Sequence, residues 1–483
     1  MSKLNKDILF LIFEELQNDS KSLFSSLIVN RLCYLFVIIA CYLFDEIKEF
    51  ITNQSIQLPL AFHQSFLFDY LSFCRSIKVF TINNIISIGS SLANNQFYMQ
   101  QNFYYFFMKK CSELKYFDMR LIKHQIFDFP EAKARFESLC ELECDTSTFY
   151  SYFYKLSRFC QHMQRLIIDN TVTKPNDGIV KLIEVQKNLK YFEWLDGFNN
   201  EFFPRFSWDP YEKFLLALEA KADSIEHLGL IFKRKGNSNS TLLQKILPKF
   251  HKLKTLIIED KYHFFTEIQL NGSNFYDLEI LKIEWNKLNV ISSIVENNGG
   301  RLKKILFNSN IVIGYENNSS SFNENSLKFI RNIYENCPSI EYLSIIFSPS
   351  KEHFNEFEKL LKVCKNLKSL LLVIKNIYKT ESHEKILKNG EELLKVLISS
   401  APINLKEIRF YNDFRFSLEV LEEFLREWRG CALSILISDL FYERKDFKKL
   451  FDKYKNNGTI KDFICEPFIS RINYYISHHK VYL

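Results

Sequence analysis

The sequence predicts an α/β fold, a curved solenoid with a parallel sheet inside and helices outside. Three observations predict it. A strand-like pattern recurs eleven times along most of the chain. Helix-period apolar patterns lie between the recurrences. The composition can fill a core along the whole length, because 47% of residues are hydrophobic and Phe alone accounts for 48 of 483. At roughly 100–200 residues per domain the length suggests about three ordinary domains, but a repeat array of this size can form one body.

The recurring pattern is clearest from Cys337 to Ile345, Cys-Pro-Ser-Ile-Glu-Tyr-Leu-Ser-Ile. Cys364 to Leu372 and Cys111 to Met119 follow the same form. A small residue and two polar ones precede apolar-x-x-apolar-x-apolar. The first apolar residue, the anchor, recurs at Leu114, Leu139, Met163, Leu189, Ile225, Leu253, Leu278, Leu302, Ile340, Leu367 and Leu405. Residues three and five past each anchor are apolar in all eleven units, which is the alternation of a strand with one face on a core. A weaker twelfth unit is expected to begin at Leu433. The pattern resembles the L-x-x-L-x-L of leucine-rich repeats, loosely spaced. Phe354, Phe357, Leu360, Leu361 and Cys364 then supply a helical stripe, and Leu418, Leu421, Phe424, Leu425 and Trp428 repeat its offsets. A single strand–helix unit cannot bury its apolar face alone, so the units must stack.

Stacking makes the register specific. Leu228, Leu256, Leu281, Ile305, Leu343 and Leu370 should lie in one buried row. Tyr342 and Lys282, each adjacent in sequence to its row residue, should face the concave, solvent side of the sheet. That concave side would also carry Tyr116, Asp118, Glu141, Glu143, Arg165, Tyr191, Glu193, His227, Lys304, Glu407 and Arg409. Tyr and Arg are favoured at protein interfaces, so Tyr116, Arg165, Tyr191, Lys282, Tyr342 and Arg409 are the candidate partner-binding residues. Long spacings require insertions at Phe198 to Tyr211, Asn308 to Asn325 and Ile377 to Lys385, all following strands and so expected on one edge.

Other chemistries find little support. With 63 Lys and Arg against 57 Asp and Glu, the net charge is only +6, and Lys and Glu interleave rather than forming a basic stripe. No nucleic-acid partner is expected. The eleven cysteines form no C-x-x-C pair, and Cys140 and Cys144 have no His or Cys partner nearby in sequence, so neither metal nor any other cofactor is expected. Cys111, Cys160, Cys337 and Cys364 all sit three residues before an anchor, where Ala222, Gly299 and Phe250 stand in other units. Cys there reads as a small buried hydrophobe. No phosphate-binding loop, nucleophile elbow or H-E-x-x-H appears, and His162, His227 and His251 beside the anchors read as turn or surface residues. The chain reads as non-catalytic.

Residues 4–32 have a different character. Ile8, Leu9, Ile12, Phe13 and Leu16 form one helical stripe, a polar turn follows, and Leu23, Leu27 and Val29 to Leu32 form a second segment. This resembles the first part of an F-box, and in many F-box proteins a leucine-rich-repeat array follows, as here. The resemblance implies a substrate receptor of a cullin–RING ubiquitin ligase, cytoplasmic or nuclear. Its ligase adaptor would bind Leu4, Ile8, Leu9, Ile12, Phe13, Leu16, Leu23, Leu27 and Val29, and its repeats would capture a protein substrate. The box is shortened: Asn5 replaces the usual Pro, Cys33 stands where Trp is usual, and the third helix is missing. The chain passes instead into the uncharged run Leu32 to Phe44, thirteen residues where a membrane span needs about 20, so a buried helix is expected. The expected organisation is a truncated box and apolar helix at 1–44, a helical lead-in and start of the solenoid at 45–110, the repeat array at 111–440, and a C-terminal cap or tail at 441–483. Two alternatives keep the array and change the rest: a plain repeat scaffold capped by its N-terminus, or a repeat binder tethered to a membrane.

Overall fold

The computed structural model describes residues 70–89, 93–171, 176–197, 211–232, 241–260, 275–284, 287–307, 319–374, 382–411 and 414–465. Within them the protein is α/β, with strands paired in parallel and helices between most of them. The described residues divide into two compact units at Lys221/Ala222.

The first unit contains β1 (Ser76–Lys78), α1 (Val79–Gly89), α2 (Ala93–Lys110), β2 (Tyr116–Asp118), α3 (Ala132–Glu137), β3 (Glu141–Asp145), α4 (Tyr150–Phe159), β4 (Arg165–Asn170), α5 (Asp177–Val185), β5 (Tyr191–Asp196) and α6 (Glu212–Glu219). Its strands pair in chain order, with Ile77, Phe117, Leu142, Leu166 and Phe192 side by side.

The second unit continues with β6 (His227–Phe232), α7 (Thr241–Ile246), β7 (Thr255–Asp260), β8 (Ile280–Glu284), α8 (Leu288–Glu296), β9 (Lys304–Leu306), α9 (Ser319–Asn336) and β10 (Tyr342–Phe347). It ends with α10 (Lys351–Val363), β11 (Ser369–Ile374), α11 (His383–Ser400), β12 (Glu407–Tyr411), α12 (Leu418–Glu427), β13 (Leu433–Ile437), α13 (Lys445–Asn456) and β14 (Ile460–Cys465). Here too the strands pair in chain order. Leu228, Leu256, Leu281, Ile305, Leu343 and Leu370 form the expected row, which runs on through Ile408, Ile435 and Phe463.

The repeat has a backbone cause. The carbonyl one residue past most anchors accepts two successive N–H groups from the next strand. Lys115 O takes Cys140 and Glu141, Cys140 O takes Gln164 and Arg165, and Gln164 O takes Lys190 and Tyr191. In the second unit Lys254, Glu279, Lys303, Glu341 and Lys368 repeat the arrangement. Every anchor, and every residue three past it, is no more than 1% exposed. Those rows, and the row five past each anchor, face the helices: the Phe117 ring lies 5.8 Å from Phe136 of α3, Trp194 stacks at 4.1 Å on Phe214 of α6, and Phe307 lies 5.9 Å from Phe329 of α9. Burying such side chains at about 25 cal/mol per Å² is what holds each layer on the next.

The stripe on α10 is buried along its whole length, from Phe354 to Cys364, and Leu421, Phe424 and Leu425 of α12 are buried in the same way. Ser350, Ser382 and Ser417 start α10, α11 and α12, each side chain accepting an N–H at 3.2–3.3 Å. Such caps contribute roughly 0.5–2 kcal/mol apiece.

Two sequence expectations shift. The twelfth unit does not take Leu433 as its anchor. Ile408 pairs with Ile435, so Ala432 occupies the anchor position and the pattern is one residue out. Gly299 does not fill a buried turn either. It is exposed, and the neighbouring Asn298 is the buried residue, donating to Phe275 O and Leu278 O and accepting from Arg301 and Leu302 N–H. The four turn cysteines are buried as expected. Burial raises the thiols of Cys337 and Cys364 to about 12, and that of Cys160 higher still, which keeps them protonated and unreactive. Of the three insertions, residues 198–210, 308–318 and 377–381 lie outside the described residues, but the C-terminal ends do not. Asn325 lies within α9, and Lys385 within α11.

Candidate protein-interaction surface

A strand whose residues three and five past the anchor face the helices must turn those at two, four and six to the opposite, open face of the sheet. In the first unit the second position forms the row Tyr116–Glu141–Arg165–Tyr191. Three candidate partner-binding residues therefore stand in one line. The Arg165 guanidinium lies 4.2 Å from the Tyr191 ring centroid, and Lys78 Nζ lies 5.5 Å from that of Tyr116. The Tyr191 hydroxyl donates to Glu193. Burial, followed by the charge of Glu143 beside Tyr116 and of Glu193 beside Tyr191, pushes both phenols well above their usual range, so both stay neutral donors.

The fourth and sixth positions add a compact ion cluster. Arg120 Nη2 lies 2.6 Å from Asp118 Oδ2 and 2.8 Å from Glu143 Oε2, and Nη1 lies 2.9 Å from Asp169 Oδ2. Asp118 and Glu143 are buried. Asp145, also buried, accepts the N–H of Leu121 at 3.1 Å and that of Ser147 at 2.9 Å. Glu141 makes no ion pair among the described residues. Beneath this face a polar chain crosses the strand ends. Thr146 Oγ1 donates to Asn170 Oδ1 at 3.0 Å, Asn170 Nδ2 to Asp196 Oδ1 at 2.7 Å, and Trp194 Nε1 to the same oxygen at 3.0 Å, while Tyr211 donates to Asp196 Oδ2. These bonds hold the ends of β3, β4 and β5 in register.

In the second unit Tyr342 stands in the row His227–Thr255–Ile280–Lys304–Tyr342–Ser369–Glu407, with Lys304 Nζ 4.7 Å from its ring centroid. Lys282 and Arg409 are two residues further along their strands. Each is paired: Lys282 with Glu284 at 3.2 Å, and Arg409 with Glu407 at 2.7 Å. Ser369 Oγ also donates to Glu407, at 2.7 Å. Charges on this face are largely matched by their neighbours.

The proposed adaptor-binding residues Leu4, Ile8, Leu9, Ile12, Phe13, Leu16, Leu23, Leu27 and Val29 lie outside the described residues, as does the apolar run Leu32 to Phe44. Among the described residues no helix is long and apolar enough to cross a membrane, and no group of three His, Cys, Asp or Glu side chains is placed to hold a metal ion. His162 and His251 are exposed and His227 half-buried. Arg120, Asp145 and Asp169 were not among the sequence candidates, yet each stands six residues past an anchor. Following the alternation one position further along the strand finds them.

Compared with known proteins, the chain matches no protein-family model and no curated protein.

Proposed function

We propose that this chain is a non-catalytic protein-interaction module, a leucine-rich-repeat receptor of the F-box type that presents a protein substrate to a cullin–RING ubiquitin ligase in the cytoplasm or nucleus. The observation that carries the interaction half is the single row Tyr116–Glu141–Arg165–Tyr191 on an open sheet face. Aromatic and Arg side chains held side by side on a rigid sheet provide anchors at low entropic cost. The recurrence of the same pair of backbone bonds in successive units supports the repeat assignment. The ligase half rests on the resemblance of residues 4–32 to an F-box.

Pull-down by purified ligase adaptor tests the ligase half. The full-length chain should be captured, and Ile12→Asp should abolish capture while leaving the thermal unfolding midpoint unchanged. If the adaptor captures a complete-box protein but not this chain, the protein is a receptor without a ligase. Deleting residues 1–44 separates docking from capping. Docking predicts a folded array that has lost only the adaptor. Loss of cooperative unfolding would instead assign those residues to capping the array.

A further inference from the structure

The chain as a whole is basic, at +6, but the open face of its first unit is acidic. Asp118, Glu141, Glu143, Asp145, Asp169 and Glu193 stand there against Lys78, Arg120 and Arg165. The cations already present show what the surface accepts. One guanidinium sits among three carboxylates, another lies on the face of Tyr191, and an ammonium approaches Tyr116. These are the two ways in which protein surfaces take up Lys and Arg side chains. Glu141, midway along the row between Tyr116 and Arg165, makes no ion pair among the described residues.

Beside the carboxylates an apolar side chain is held out at a conformational cost. Leu121 has φ 66°, a left-handed backbone that a Leu seldom adopts, and it is 58% exposed. Its N–H is tied to the Asp145 carboxylate. Phe149, four residues past Asp145, is 73% exposed. Backbone strain of this kind clusters at ligand-binding sites.

We propose that the open face of the first unit captures a basic peptide segment of the partner protein, with its Lys and Arg side chains meeting the half-exposed carboxylates of Glu141, Asp169 and Glu193 and an apolar side chain meeting Leu121. The proposal rests on the receptor reading of this face and gives its substrate class. A net negative surface disfavours nucleic acid and anionic lipid through their phosphates, which leaves a cationic polypeptide as the occupant that fits.

The test uses the full chain and three short labelled synthetic peptides: one alternating Lys or Arg with Leu, one with Glu in place of the cations, and one with Ser in place of Leu. Fluorescence anisotropy should show the first binding most tightly, with affinity falling as salt rises. Glu141→Lys should weaken it about tenfold or more. Glu423→Lys, the same charge change on the exposed face of α12, should leave it within about twofold. Leu121→Asn should weaken binding while the thermal midpoint stays level or rises, since Asn tolerates the left-handed backbone. That opposition separates recognition from misfolding. Equal affinity for the acidic peptide, or equal losses from Glu141→Lys and Glu423→Lys, would overturn the proposal. Neither result depends on adaptor capture, so the ligase reading can fail while this one holds.

Discussion

His124 and His353 are the two described histidines sealed in the interior, 4% and 1% exposed. His353 is bonded on both sides, Nε2 to Ser326 Oγ and Nδ1 to Ser350 Oγ, each at 2.7 Å. His124 Nε2 meets Gln100 Oε1 at 2.9 Å, and its ring lies 4.3 Å from that of Phe97. Burial lowers both from 6.5 to about 4, with Lys123 adding to the effect at His124. The unfolded chain therefore takes these protons first as pH falls. Stability from the neutral rings is complete above about pH 6.5 and is lost between there and about pH 4. The unfolding free energy from urea titrations should fall across that window by about 1–2 kcal/mol per histidine, and His353→Asn should flatten the slope. A slope that begins only below about pH 4.5 would assign the loss to carboxylates instead. Neither histidine stands out in the sequence, because nothing in its neighbours reveals that two serines from different segments will close around His353. The turn cysteines were legible for the opposite reason: their distance to the anchor is constant.

Gly390 shows where an element obeys its neighbour rather than its own propensity. It lies inside α11, and replacing a mid-helix Gly by Ala ordinarily gains about 1 kcal/mol. Here an added Cβ would collide with the Arg415 carbonyl oxygen and meet the Phe416 ring at 3.0 Å. Gly390→Ala should therefore destabilise, by about 1–3 kcal/mol in urea unfolding. A gain would mean that the connection before α12 yields easily. The apolar stripe of α10 was readable in advance because its 3.6-residue period already states which face is buried. β14 was not, because Ile460 to Cys465 lies beyond the anchors and carries Lys461 and Asp462. Its strand state depends on pairing with β13, where the register slips between Leu433 and Ser434. The same irregular region explains the one-residue error at Leu433: with Ala at the anchor position, the nearest large apolar residue imitates an anchor.

A repeat array distributes stability between neighbours, since each layer is held mainly by the two beside it. Leu343 packs in register between Ile305 and Leu370. Leu343→Ala should cost about 2–5 kcal/mol, with faster amide exchange in β9, β10 and β11 and retained protection in β13. Uniform loss of protection across the second unit would show it to be a single cooperative block. Charge follows the same neighbour logic: Glu226 pairs with Lys254, Glu279 with Lys303 and Glu341 with Lys368, at 2.7–2.8 Å on successive strands. These partly exposed pairs add little energy, roughly 0–1 kcal/mol each, but a shift of one layer would bring like charges together. By itself the sequence determined the α/β class, the order of the strands and the buried rows, because burial with a period of two or 3.6 is a local property repeated at near-constant spacing. Only the tertiary structure decided which open-face charges find partners. Arg120 reaches Asp169 across 49 positions of sequence, Glu141 is left without an ion pair among the described residues, and Leu121 is turned outward. Those outcomes depend on the lateral distance between strands, and no pattern within a single strand encodes it.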